Sequence, residues 1–517
     1  MGLNVTYKGE QIAQLSATGT ATLKLAGKTC EGDILLAYSA GGISGGGISG
    51  GGISGGSISG GSSDVVFYDS YDHSVVASYS AAEFARLSAL PPNPEHAGLI
   101  AQGWNWTLEN AKAYTAKYGK LTVGQMFVTD DGKTRIHIHL EPDRTTPLLG
   151  LCVNGSVSVD WGDGSDPDTL TGTSPTVMIF TPKHTYPGGG DYVISLTVND
   201  GSIAFGGSNS GSSLLCHSAG IDRRNKAYGN DVKAVEFGSD VVKIGAYTFQ
   251  HCYSLTHVTI PNGVDGVGTS AFQNCYSLQS ITLPNGATDI GNTAFQKNYS
   301  LSYISVPIGV TRIGTDAFDT CHNLHAVTLP EGLTAIANEA FLKCMSMVTA
   351  VVPDTVTSIG TYAFNSCHEL SKFIIPASVV ESNANAFSSC SSLTEMTVPG
   401  SLATVPAYAF ASCERLINIT FMDGVESIET NALLYCYSLE AITIPASVTS
   451  IATKAFASCM SLAEVRIFAQ TPPTLATNVF YDTPPDFLIY VPKGTLEAYK
   501  TASNWSTQAA KMREMEE

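Results

Sequence analysis

At 517 residues the chain is too long for a single core and reads as several modules. Only 14% of residues are charged and 50 are glycine, a composition of β-rich or repetitive modules rather than of disorder or a helical bundle. With 27 Lys and Arg against 45 Asp and Glu, the net charge of −18 leaves no electrostatic footprint for nucleic acid or anionic lipid. No run of about 18 apolar residues is present for membrane insertion, and residues 1–8 lack the basic and apolar arrangement of an export signal.

Residues 1–40 alternate as two or three short strands, through Val5-Thr6-Tyr7 and Leu23-Lys24-Leu25, and are expected to form a small β module. Residues 41–62 repeat Gly-Gly-Ile-Ser-Gly, with Ile43, Ile48, Ile53 and Ile58 five apart. A glycine-serine chain of this length is a flexible spacer with a span of roughly 26 Å. The four isoleucines are unnecessary in a spacer and could instead pack around an oligomer axis, so a homo-oligomer is expected.

Residues 63–133 read as α+β. Ser80 and Glu83 form a capping-box signature ahead of Phe84, and Thr107 opens a helix that ends at Gly119. Residues 134–205 carry Val159-Asp160-Trp161-Gly162-Asp163-Gly164 and then His184-Thr185-Tyr186-Pro187 before the strand from Asp191 to Val198. This pair of motifs resembles the PKD domain and implies a β-sandwich. Residues 206–230 are a connector.

From residue 231 to 468 the sequence repeats every 23 residues. Phe249, Phe272, Phe295, Phe318, Phe341, Phe364, Phe387, Phe410, Leu433 and Phe456 form one column. Three residues after each comes a cysteine, from Cys252 to Cys459, with Asn298 as the exception. A short alternating strand follows and is ended by proline, as in Leu255, Val258, Ile260 and Pro261. Such a repeat buries its apolar face only by stacking on its neighbours, which predicts a parallel-strand rod on the order of 50 Å long for ten repeats. Val232, Val235 and Phe237 form a half-repeat one period earlier, and residues 469–517 are expected to cap the far end.

Nine of the twelve cysteines fall in the one column, which points to packing of reduced thiols rather than to disulfides. No phosphate loop, dinucleotide fingerprint or nucleophile elbow in a strand-turn-helix context is found, so neither catalysis nor a cofactor is expected. His137 and His139 share one face of a strand with Glu141, as metal ligands can, but a half-buried strand with a solvated face looks the same, and no metal is assigned. Asp160, Asp163, Asp166 and Asp168 are either calcium ligands or turn formers.

The position after each cysteine begins Tyr253, Tyr276, Tyr299, His322, an aromatic stripe. It is a candidate binding surface, because aromatic groups give rigid contact area, or else it is partly buried at its turn. Tyr303 and His257, in outward strand positions like that of Thr328, are expected to extend it.

Ala271-Phe272-Gln273-Asn274-Cys275-Tyr276-Ser277-Leu278 with Ile281-Thr282-Leu283-Pro284 resembles the BspA-type leucine-rich repeat. That resemblance implies a surface for protein or glycan and no enzyme activity. The modules in front resemble those of prophage-encoded tail and host-recognition proteins of Gram-positive gut bacteria. The leading expectation is therefore a phage-tail receptor-binding protein, assembled in the host cytoplasm and located in the virion. It would be held to other tail or baseplate proteins through residues 1–40 and would bind a host cell-surface glycan or protein. The alternative is a bacterial cell-surface adhesin of the BspA type. A second alternative, a polysaccharide-degrading enzyme with these modules as accessories, would need paired carboxylates that the sequence does not place.

Overall fold

The computed structural model describes backbone strands at 3–7, 10–15, 23–25 and 28–30, and then residues 64–206, 214–216 and 231–516. The Gly-Ile-Ser tract at 41–62 and most of the connector at 206–230 lie outside the described residues. The chain divides into two compact units, Met1–Ser62 and Ser63–Glu517. In the first, Leu3–Tyr7 pairs antiparallel with Glu10–Leu15, and Leu23–Leu25 pairs antiparallel with Lys28–Cys30.

The second unit is mostly β and ends in a solenoid of about 12 turns. Each turn contributes two short strands to two parallel ladders. In the first ladder Ser280–Thr282 pairs with Tyr303–Ser305, and further on Asn418–Phe421 pairs with Ala441–Ile444. In the second ladder Asp289–Ile290 pairs with Arg312–Ile313. The half-repeat Val232–Glu236 is the first rung, parallel to His257–Thr259.

Between the two strands of a turn lies the Ala-Phe-x-x-Cys segment. The residues two before and two after the Phe have left-handed backbone, as at Ser270 (φ 54) and Asn274 (φ 64). For a residue with a Cβ this costs roughly 1–2 kcal/mol. The twist aims amide hydrogens along the rod: Phe272 N–H donates to Ala294 O at 2.8 Å and Asn274 N–H to Gln296 O at 2.9 Å. The cost is thus offset by bonds between turns. Phe rings stack one on the next, Phe318 lying 5.4 Å from both Phe295 and Phe341 with near-parallel planes.

The cysteine column has a packing reason for its identity. The Cys275 thiol donates to Phe249 O at 3.1 Å, and the Cys367 thiol to Phe341 O at 3.3 Å, in the turn before. A small apolar side chain with one weak donor suits that site. All ten described cysteine side chains are free and buried. Burial pushes the thiols of Cys367, Cys413 and Cys459 up to about 12, so they are protonated and unreactive at neutral pH. At Asn298 the side-chain oxygen instead accepts from Cys275 N–H at 2.8 Å.

Ahead of the solenoid, Leu148–Asp160 pairs antiparallel with Asp168–Phe180 and with Gly190–Phe205. Gly190–Phe205 also pairs with Thr134–Leu140, whose other edge carries Val232–Glu236. The strands of residues 134–205, expected to form a β-sandwich, pair in one sheet that runs into the first rung of the solenoid, over a shared core.

Residues 64–129 build a four-stranded sheet in the order Val75–Tyr79, Val65–Tyr68, Leu121–Thr129, Leu99–Trp104, with helices Ala81–Ala85 and Leu108–Tyr118. The capping box at Ser80 and Glu83 forms as expected, and Gly119 ends the second helix at φ 80. At the far end of the solenoid, Leu488–Val491 pairs with Met512–Glu514, and Trp505, fully buried, donates its indole N–H to Pro473 O at 2.7 Å.

A candidate recognition edge on the solenoid

The front module lies directly on the outward face of the first ladder. Tyr68 OH donates to Ile281 O at 2.6 Å and Tyr114 OH to Leu329 O at 2.8 Å. Asn105 Nδ2 donates to Leu283 O at 3.1 Å and to Ser305 O at 3.2 Å. Thr122 N–H donates to the Thr328 hydroxyl, and every residue of Leu121–Thr129 is buried. Gly124 allows this approach: a Cβ there would sit 2.1 Å from Thr282 Oγ1.

Two candidate residues are relocated by this contact. Tyr303 stacks on Tyr68 with centroids 5.6 Å apart, and His257 packs edge-on against Tyr71 at 4.6 Å. Both lie in the seam under the front module instead of extending the stripe, and Thr328 is buried beside them. Alternation in a strand marks which side chains face away from the core, but not whether water or a second layer meets them.

The stripe itself is brought together. Tyr253 and Tyr276 have centroids 4.7 Å apart, Tyr276 and Tyr299 4.8 Å, and Tyr299 and His322 5.1 Å, all with planes tilted by about 30°. The rings, half-buried, stack along the rod because they follow the cysteine column at the rise of one strand per turn. Their faces are turned to one another, so what they offer to a partner is ring edges and phenol hydroxyls. Tyr253 OH lies 3.2 Å from His251 Nδ1. Partial burial raises the phenols of Tyr253 and Tyr276 above their ordinary value of 10 and lowers the imidazole of His322, which favours the uncharged form of each of these three.

The same edge continues into the turn of Asp354, which Lys117 and Tyr118 of the front module still touch, and into the turns beyond it. There Tyr437 and Met460 occupy the ladder column, and Tyr362, Tyr408 and Tyr435 occupy left-handed turn positions, all exposed. Tyr481, at 59% exposure, is the most open of this aromatic set. Reading the columns two residues either side of the Phe at the same 23-residue period finds Tyr362, Tyr408 and Tyr435 in the sequence.

The remaining polar candidates are engaged elsewhere. His139 Nδ1 pairs with Asp191 at 2.6 Å and His137 with Glu236 at 3.6 Å, so the two do not share a partner. In the Trp161 turn, burial alone would raise Asp163, but hydrogen bonds from Ser165 and His184 hold its carboxyl down at about 2. His184 in turn stacks on Trp161 at 4.5 Å, and Asp168 accepts from the Trp161 indole. These carboxylates bind protein donors, and among the described residues no set of three metal donors gathers there.

A family model for the "BspA type Leucine rich repeat region" matches six copies, over residues 224–348 and 334–463. These turns are BspA-type leucine-rich repeats. They make up slightly under half of the chain. No curated protein matches. Among solved structures, a leucine-rich repeat protein from Bacteroides ovatus is 24% identical over 54% of this chain and 77% of its own, with a TM-score of 0.43. A leucine rich cell surface protein from Faecalibacterium prausnitzii is 25% identical over 60% of this chain and 93% of its own, with a TM-score of 0.32. A leucine-rich repeat protein from T. pallidum is 27% identical over 36% of this chain and 78% of its own, with a TM-score of 0.29.

Proposed function

We propose that the chain is a non-enzymatic bacterial cell-surface binding protein, an adhesin of the BspA type. In this reading the aromatic edge of its solenoid meets a glycan or protein on another cell. What carries the reading is one observation: the BspA-type repeats keep an aromatic edge, from Tyr253 to Tyr299 and again at Tyr435, Tyr437 and Tyr481, that the front module leaves uncovered. Aromatic side chains with a polar tip are the commonest anchors of binding surfaces.

The edge offers hydroxyls and ring edges, which suits hydrogen-bonded recognition of an extended chain across several turns. A phage-tail receptor-binding protein, attached through residues 1–40, would use the same edge, and the repeat match favours the adhesin over it. Two measurements test the proposal together. The full chain should fractionate with the envelope of the producing cell and should bind intact cells or a glycan array saturably. Recovery with phage particles would replace the adhesin reading by the tail reading, and absence of any binding would remove both.

A further inference from the structure

Where the front module meets the solenoid, a second chemistry-bearing cluster lies away from the aromatic edge. Asp69, Asp72 and His96 each offer one donor atom, and the three donors lie within 4.8 Å of one another, the one such group of three among the described residues. Asp69 is only 1% exposed. Its Oδ1 accepts from Tyr71 N–H at 2.8 Å, while Oδ2 faces His96 Nε2 at 2.6 Å. Asp72 Oδ1 accepts from Ser74 N–H at 2.9 Å, which leaves its other oxygen for a ligand. The His96 ring is fixed between Tyr71, at 4.4 Å, and Phe127, at 5.1 Å.

We propose that Asp69, Asp72 and His96 bind one transition-metal dication of the Zn2+ class. The donors are one imidazole nitrogen and two carboxylate oxygens, a set that favours transition metals over calcium or magnesium. Three protein ligands leave a further position for water, as in open zinc sites. Each ligand is already oriented by a second contact, the arrangement that fixes metal ligands in general. The group is no acidic surface patch, because one donor is an imidazole held between two rings and one carboxylate is buried.

Two donors on one tetrahedral zinc sit roughly 3.3 Å apart, given bonds of about 2.0 Å, so His96 and Asp69 need part by less than about 1 Å. The ion takes the place of the direct contact between His96 Nε2 and Asp69 Oδ2.

The site also has a structural consequence. Residues 69–74 hold the module on the sheet and the solenoid: Tyr71 OH donates to Glu236 Oε1 at 3.3 Å, and His73 Nδ1 lies 2.8 Å from Ser280 Oγ. An ion that fastens Asp69 to Asp72 and His96 stiffens this clamp.

The test is calorimetric titration of the full chain with Zn2+ at pH 7.5, with Ca2+ as control. Absorption of the Co2+-loaded chain and thermal unfolding with and without Zn2+ complete the set. The expected result is one tight Zn2+ per chain, no comparable Ca2+ binding and a raised unfolding temperature. D72N, at an exposed position that spares the fold, and H96Q should each weaken Zn2+ at least tenfold and alter the Co2+ spectrum, whereas H139Q, outside the cluster, should change neither. Absence of Zn2+ binding, or binding that D72N and H96Q both leave intact, overturns the assignment.

Discussion

Replacing Gly124 by alanine tests whether the front module is welded to the solenoid or merely tethered to it. The added Cβ would lie 2.1 Å from Thr282 Oγ1, 2.9 Å from its Cγ2 and 3.0 Å from its Cβ, all closer than side chains approach. Thr282 is buried in the first ladder and its neighbour Ile281 is in the core, so relief must come from the strand Leu121–Thr129 lifting. Overpacking of this kind costs about 1–3 kcal/mol. A lift of about 1 Å would also stretch the buried bonds from Tyr68 to Ile281 and from Asn105 to Leu283, and a broken one costs about 1–3 kcal/mol more. We expect a loss of about 2–4 kcal/mol in the protection of the 121–129 amides, read by native-state hydrogen exchange, with the amides of the distal solenoid unchanged. Thr282→Ala removes the two closest atoms and should restore part of that protection in the double variant, a coupling only neighbours show. Wild-type protection in Gly124→Ala, or no rescue by Thr282→Ala, would refute the docked arrangement.

The core and the covered face should respond differently from the open face. Phe318→Ala is expected to cost about 3–5 kcal/mol in denaturant unfolding, and Thr328→Ala about 1–2 because its hydroxyl accepts from Thr122 in the seam. Thr420→Ala, at an exposed position on the same ladder, should cost under about 0.5; similar losses at Thr328 and Thr420 would contradict the coverage. Denatured chain should titrate twelve thiols with a disulfide reagent at pH 8 and native chain few, since the column thiols are buried and protonated; fast native reaction would count against the stacked column. Burial in the seam pushes His257 down to about 4 from its ordinary 6.5. The unfolded state therefore takes up a proton that the folded state refuses: the stability is full above about pH 6.5 and is lost as pH falls towards 4. Removing this group with His257→Gln should flatten the fall by about 2 kcal/mol between pH 7 and 5, measured as the difference between the two proteins' unfolding curves. Parallel curves would place His257 in water.

Repeat period, inward columns and cap positions were legible in the sequence because each is a local pattern: Phe272 and Phe295 must stack if the turns are identical, and Ser80 with Glu83 closes its own helix end. The seam was not legible. Tyr303 and His257 alternate with core residues as a solvent-facing strand would, and nothing local says that a module some 200 residues earlier covers them. A composition signal was present nonetheless. After Glu236 in the first rung, outward positions under the module are uncharged or histidine, as at Ser280, Thr282, Ser305 and Thr328, whereas beyond it they include Glu395, Glu464 and Arg466. The tyrosine ladder was legible as a column, but not its geometry, since stacking of the rings on each other depends on the rise between turns and on partial burial. The sandwich motifs at Trp161 and His184 interlock locally, while the continuation of their sheet into the solenoid rests on long-range pairing of Thr134–Leu140 with Val232–Glu236.

Recognition by the aromatic edge is most directly tested by comparing cell adsorption of the full chain with that of two triple variants. One changes Tyr253, Tyr276 and Tyr299 to serine, and the other changes Tyr435, Tyr437 and Tyr481. The exposed set should lose at least tenfold in adsorption, about 1.4 kcal/mol, with little change in melting temperature. The stacked set should also lose adsorption and should melt somewhat earlier, since each ring pair contributes about 0.5–1.5 kcal/mol. Undiminished adsorption by both variants, with the fold intact, would show that the partner is met elsewhere on the molecule.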